Sequence, residues 1–219
     1  MGRRWIGRWA PVLALLLLLA SGAASAEEAE PGEFGRGGRY VAVLAGYGHD
    51  IGGAVTHYGV TTSVAQTGSP VVGLRAGYRV DPPVALEVQV DYLTGASASA
   101  TVLPGGPPIP IPPGGVGSYD ISALSFTPNV RVYVLPGRIQ PYGVVGVGLF
   151  WSRISDPSPG LGLYDDWSEV SFLVRAGGGL ALQIDDHIAL ELGAEYIRPY
   201  GHNSQFRHVS FTGALLYKF

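Results

Sequence analysis

The chain has 219 residues, 14% of them charged and 47% hydrophobic, with 33 glycines, 17 prolines and a net charge of −3. It has no cysteine, which excludes a disulfide framework, a thiolate metal site and lipid attachment to an N-terminal cysteine. With a slight acidic excess and no basic patch, nothing points to nucleic acid or another anionic polymer as a partner.

Residues Met1 to Ala26 read as a secretory signal peptide: Arg3, Arg4 and Arg8 form a basic start, Val12 to Ala20 a short apolar run, and Ala24-Ser25-Ala26 a small-residue cleavage site. The run falls well short of the roughly 20 residues that a spanning helix needs. Cleavage would remove three of the 14 basic groups and none of the 17 acidic ones, leaving a net charge of −6. Residues 27–38 form a polar, glycine-rich flexible lead.

From Arg39 onward, strand-like runs alternate with connectors of two lengths. Strands are predicted near Arg39–Tyr47, Pro70–Arg79, Val84–Leu93, Tyr119–Leu135, Gln140–Ile154, Trp167–Ile184, Ile188–Arg198 and Arg207–Phe219. Val80-Asp81-Pro82-Pro83, Pro136-Gly137-Arg138-Ile139 and Asp185-Asp186-His187 have the Pro, Gly and Asp content of tight turns. Gly48–Ser69, Thr94–Ser118, Ser155–Asp166 and Pro199–Phe206 are long connectors. The pattern predicts an all-β fold, an eight-stranded antiparallel up-and-down barrel over residues 39–219. No stretch after the leader is apolar for the length of a helical span, so a membrane-crossing form has to be a closed barrel. A soluble eight-stranded barrel has the same topology, and alternation alone does not say which face is inside.

The last strand carries the clearest period. Phe219, Tyr217, Leu215, Gly213, Phe211 and Val209 form an apolar row, with Lys218, Leu216, Ala214, Thr212, Ser210 and His208 between them. Two more rows are free of charge: Val84, Leu86, Val88, Val90, Tyr92 and Ile188, Leu190, Leu192, Ala194, Tyr196. Tyr92 and Tyr196 end these rows at the long-loop side, Tyr78 and Tyr217 lie at the short-turn side, and Trp151 and Trp167 flank the third long loop. Aromatics at both strand ends fit membrane-interface girdles. The competing reading makes them ordinary core aromatics.

In this terminal aromatic with its alternating apolar row, and in the alternation of short turns and long loops, the chain resembles the small outer-membrane β-barrel family that includes the OmpA transmembrane domain, the OmpX/Ail group and the opacity proteins. The resemblance implies a transmembrane barrel in the outer membrane of a Gram-negative-type cell, contact with outer-membrane lipid, and recognition of Phe211, Leu215, Tyr217 and Phe219 by the barrel-assembly machinery. It implies no cofactor. With the sequence ending at Phe219, no periplasmic wall-binding domain is expected.

On the opposite phase the strands carry Arg75 and Arg79, then Glu87, Gln89 and Asp91, then Asn129 and Arg131, then Arg175, then Glu191 and Glu195. An eight-stranded barrel has an interior about wide enough for side chains. Arg75, Glu87, Asp91, Arg131, Arg175, Glu191 and Glu195 are therefore expected to pair as an interior charge network, similar to that of OmpA-type barrels. Alternatively, Arg79 and Asp91 are solvated at the rims. Gly143, Gly146, Gly148 and Gly177 to Gly179 allow close packing and bending. The proline-rich tract from Leu103 to Gly115 favours extended polyproline II structure, either as a stiff surface loop or as a ligand for a proline-reading partner.

His208 and Ser210 are similar to the His-x-Ser pair of the lipid A deacylase family. They depart from it in sharing the inward phase and in having no acidic residue after Ser210. His49, His57, His187 and His202 lie in loops and turns without metal-ligand spacing. The functional expectation is a structural or surface-interaction barrel with four extracellular loops that offer a place for a ligand, its lumen plugged. The alternatives are a narrow channel for small solutes and a lipid A-modifying hydrolase.

Overall fold

The computed structural model describes residues 37–51, 55–57, 60–66, 68–81, 83–102, 117–155 and 167–219. The predicted signal peptide, all of the lead but its last two residues, and the proline-rich tract lie outside them. The described strands are β1 (Gly38–Asp50), β2 (Val55–His57), β3 (Val60–Gln66), β4 (Ser69–Asp81), β5 (Val84–Val102), β6 (Gly117–Tyr133), β7 (Ile139–Ser155), β8 (Trp167–Gln183), β9 (Ile188–Pro199) and β10 (His208–Lys218).

All pairings are antiparallel. β1 closes the sheet by pairing with β10 on one side, Val43 opposite Leu215, and with β4 on the other, Val43 opposite Leu74. β4 through β10 pair in sequence order, which makes an eight-stranded up-and-down barrel with no open edge among its wall strands. Closure satisfies every wall strand on both sides, the condition for a sheet to stand in hydrocarbon.

Burial decides the facing. Along β1, Tyr40, Ala42 and Leu44 are buried, whereas Val43 is 63% exposed. Leu192 is 71% exposed and Arg131 is 0% exposed. The barrel is thus apolar outside and charged inside, the reverse of a water-soluble one.

Seven of the eight predicted strands agree with the structure to within three residues at each end. The third differs: β5 continues past Leu93 to Val102, through residues assigned from sequence to a loop, and it pairs there with β6 and β3. The small hairpin of β2 and β3 likewise occupies part of the first predicted long connector. These segments are rich in Ser, Thr, Ala and Val without an apolar period, so they read as loop, yet they hold no proline to prevent pairing. The register of β5 against β6 shifts between Leu93 and Ala96, where the strand leaves the regular wall. In β6, Pro128 has no N–H to donate, and the ladder to β7 steps from Phe126–Leu149 to Asn129–Gly146.

Turn chemistry fixes the short-turn end. Between β8 and β9, Asp185 Oδ1 accepts the backbone N–H groups of His187 and Ile188, each at 2.8 Å, and these bonds hold its carboxyl below the usual carboxylate range.

The facing leads to a depth-dependent expectation. Leu192→Arg, midway along β9 on the outer face, should lower unfolding free energy by about 2–4 kcal/mol. Val80→Arg, beyond Tyr78 at the short-turn end, should cost about 0–1 kcal/mol. Refolding titrations into lipid vesicles measure both, and equal costs would contradict this placement in the bilayer.

Candidate functional site

The inward residues form layers, because each strand contributes one inward side chain at every second position. Nearest the short turns, Arg79 Nη1 donates to Gln140 Oε1 at 3.0 Å, and Lys218 Nζ donates to Gln183 Oε1 at 2.6 Å. Next comes a layer holding Tyr40, Tyr133 and Tyr142 with Ala42, Ala85, Ala181, Ala189 and Leu216. The Arg79 guanidinium lies 4.1 Å over the Tyr133 ring, and that of Arg131 lies 4.0 Å over Tyr142. Space for Tyr142 comes from Gly179 and Gly193, where a Cβ would stand 2.7 Å from its hydroxyl.

Above the tyrosines, two arginines and two glutamates interlock. Arg131 Nε lies 3.0 Å from Glu87 Oε2, and Arg131 Nη1 lies 3.0 Å from Glu191 Oε2. Arg75 joins the same two acids, pairing with Glu191 through Nη2 and lying 3.6 Å from Glu87 through Nε. Tyr40 donates its hydroxyl to Glu87 Oε2 at 2.8 Å. Strands β4, β5, β6 and β9 are therefore linked across the lumen as well as through the wall.

A second cluster follows toward the long loops. Arg175 Nη1 lies 2.8 Å from Glu195 Oε2, and Arg175 Nη2 pairs with Asp91 and donates to Ser125 Oγ at 3.2 Å. Gln89 Nε2 donates to Asp91 Oδ1 at 2.9 Å; Thr127, opposite Gln89, lies between the clusters, and Asn129, opposite Glu87, donates to its Oε1 at 3.5 Å in the first. All seven charged residues singled out from sequence are thus buried in the lumen, and the structure divides them into two groups. Asp91 and Arg79, weighed as rim groups, are both buried.

Over the second cluster lies an apolar layer: Val71, Leu93, Ile121, Ala123, Phe150, Leu173, Ile197 and Phe206. Phe206 belongs to the β9–β10 connection, whose 3-10 turn Gly201–Gln205 starts at a glycine with φ +73°. That connection was predicted as a plain long loop. Asn203, 0% exposed, accepts from Ser152 Oγ at 2.8 Å and donates to Ser171 Oγ at 2.8 Å. His208 and Ser210 face this lumen, and His208 Nδ1 lies 3.1 Å from the Phe206 carbonyl oxygen. Among the described residues no group of three or more potential metal ligands assembles.

On the outer face, Phe211, Leu215, Tyr217 and Phe219 are all exposed, and the Tyr217 and Phe219 rings meet edge to face at 5.2 Å. Tyr78, Tyr92 and Trp151 are exposed too, and Tyr196 is half-buried in the outward phase. Trp167 opens β8 opposite Ile154, with its side chain outside the described set. Sequence reasoning passed over Tyr40, Tyr133, Tyr142, Gln140 and Gln183. Their signal was phase: Tyr133 lies two residues from Arg131, and Tyr142 two from Gln140.

Breaking a buried ion pair by removing one partner costs about 3–5 kcal/mol, because the other charge stays uncompensated. Arg131→Ala should lower stability by that amount in urea titrations. Arg131→Met together with Glu87→Gln should recover part of the loss, since both charges then leave the low-dielectric interior.

Residues 12–219 match the family model described as the outer membrane protein beta-barrel domain. No curated protein matches the sequence. The solved structure of Neisserial surface protein A is similar at 13% identity and a TM-score of 0.56, covering 84% of this chain and 99% of that one. The outer membrane protein OprG from Pseudomonas aeruginosa is similar at 14% identity and a TM-score of 0.55, covering 83% of this chain and 92% of that one. At these identities the two likenesses speak to the fold alone. The sequence match spans the whole described barrel, and the inside-out burial is that of a wall in lipid. The protein belongs to the outer membrane protein beta-barrel domain family and is an outer-membrane protein.

Proposed function

We propose that the protein is a closed barrel with a structural or surface-interaction role, performed by its four long connectors on the outside of the cell. The observation that carries this reading is the set of inward ion pairs, Arg75, Arg131 and Arg175 bonded to Glu87, Glu191, Asp91 and Glu195, with side-chain layers on either side. Opposite charges confined without bulk water hold one another, because leaving one unpaired costs several kcal/mol. The three short turns share one end of the barrel with Gly38 and Phe219, and short turns are the periplasmic feature of such barrels. The long connectors then face outward and are the place for an extracellular ligand. In this reading the protein performs no chemical step and needs no cofactor. Residues Met1 to Ala26 direct export and are removed.

The outer row ending in Tyr217 and Phe219 serves as lipid anchor and assembly signal for the barrel-assembly machinery. The girdle residues Tyr78, Tyr92, Trp151, Trp167 and Tyr196 set the depth of the wall. Their amphipathic rings suit the headgroup region.

Two experiments test the reading. Purified protein in planar bilayers should show no sustained conductance, and stable single-channel currents from the unmodified chain would favour a narrow channel instead. Deleting Phe219 should strongly reduce the folded, heat-modifiable fraction in the outer membrane, whereas an unchanged level would remove the terminal residue from the assembly signal.

A further inference from the structure

The β9–β10 connection turns into the barrel. Its backbone bonds to the wall lie at its two ends: Tyr200 N–H donates to the Phe172 carbonyl at 2.8 Å, and Ile51 N–H donates to the Arg207 carbonyl at 3.1 Å. Outside the wall, Tyr200 also packs on Phe172, with ring centroids 6.1 Å apart. Between these anchors the segment from Gly201 to Phe206 is held by side chains. Asn203 uses both ends of its amide, accepting from Ser152 Oγ and donating to Ser171 Oγ, with a longer bond of 3.4 Å to the Glu169 carbonyl. Phe206, 6% exposed, lies nearly parallel to Phe150 at 6.4 Å and completes the apolar layer with Leu93, Leu173 and Ile197.

The wall does not depend on this segment, since β9 and β10 pair from Ile197–His208 down to Ile188–Tyr217 without it. The segment is therefore an insert seated in a mouth that is already formed. A buried amide that satisfies two hydroxyls gives a directional fixing, and an aromatic ring on a short tether gives a watertight one. Both are local, and Gly201, at φ +73°, makes the bend that turns the segment inward.

We propose that Gly201–Phe206 is an internal stopper, latched by Asn203 and sealed by Phe206. It controls entry to the lumen from the long-loop end, independently of the charge network below. With the stopper seated, the cluster of Arg175, Asp91 and Glu195 is cut off from outside water. With it withdrawn, that cluster becomes the floor of a vestibule with apolar walls. The proposal goes beyond the closed-barrel reading: it assigns the outer seal to a movable segment and leaves the inner seal to the ion pairs.

The chain has no cysteine, so one introduced thiol reports cleanly. Ser125→Cys places it in the lumen beneath the stopper, beside Arg175. In micelle-held protein checked for its heat-modifiable folded band, this thiol should react with a charged maleimide at least tenfold faster when Asn203→Ala or Phe206→Ala is added. Arg131→Met with Glu87→Gln, which disturbs only the lower cluster, should leave the rate within about twofold. Fast labelling of Ser125→Cys alone, or an unchanged rate with both stopper variants, would overturn the proposal. If a stopper variant fails to fold, a disulfide variant decides. Ser152→Cys with Asn203→Cys, oxidised, should slow labelling at Ser125→Cys and release it on reduction, read by mass on the peptide that carries position 125, and no change at that peptide on reduction would refute the stopper. Labelling reports access to position 125 in each variant, so the gain in the stopper variants tests the stopper whatever the conductance, whereas conductance of the unmodified protein defeats the closed-barrel reading.

Discussion

Arg131 is the fastening on which the interior depends. It is fully buried, its guanidinium is shared between Glu87 on the neighbouring strand and Glu191 across the lumen, and its other face lies on Tyr142. In a soluble protein such a cation would be an expensive substitute for a leucine. Here most leucines are needed outside, against lipid, and at the level of the ion pairs the inner phase is left to residues that hold one another by hydrogen bonds and charge. The cross-lumen bonds tie β6 to β9, strands that do not touch in the wall. The barrel is braced through its middle as well as around its circumference.

The layering follows from this brace. Charged residues sit at mid-depth, where the surrounding low dielectric makes their attraction strongest. Toward the short turns the chain places tyrosines, whose hydroxyls can still reach a carboxylate, as Tyr40 does to Glu87. Toward the long loops it places aliphatic residues and Phe150. The lumen is thus lined by two different kinds of contact, one polar and specific, the other apolar and shaped by packing.

Much of this was legible in the sequence because the strand period is two and the outer rows are unbroken: from Ile188 to Tyr196 and from Val209 to Phe219 the facing can be read residue by residue. The charged members of the lumen were legible for the same reason, since a charge on the phase opposite such a row has nowhere else to go. What escaped was of three kinds. Tyr40, Tyr133 and Tyr142 are aromatic and were passed over as inward residues, although their phase placed them there. The continuation of β5 from Thr94 to Val102 has no apolar face to announce it, and pairing with β3 and β6 supplies its order. The inward course of Asn203 and Phe206 depends on a chain reversal at Gly201 and on hydroxyls from β7 and β8, none of which is local in sequence.

Pro128 gives the wall a direction of weakness. Between β6 and β7 the ladder skips the positions around it, and β7 presents Gly146 and Gly148 there, so close to β6 that an added Cβ would stand 1.9 Å from Asn129 Oδ1 and 2.0 Å from the Phe126 carbonyl oxygen. β7 and β8, by contrast, pair without a break from Ile139 to Ile154. Flexing of the wall will therefore meet least backbone resistance where those rungs are missing, on the β6–β7 seam.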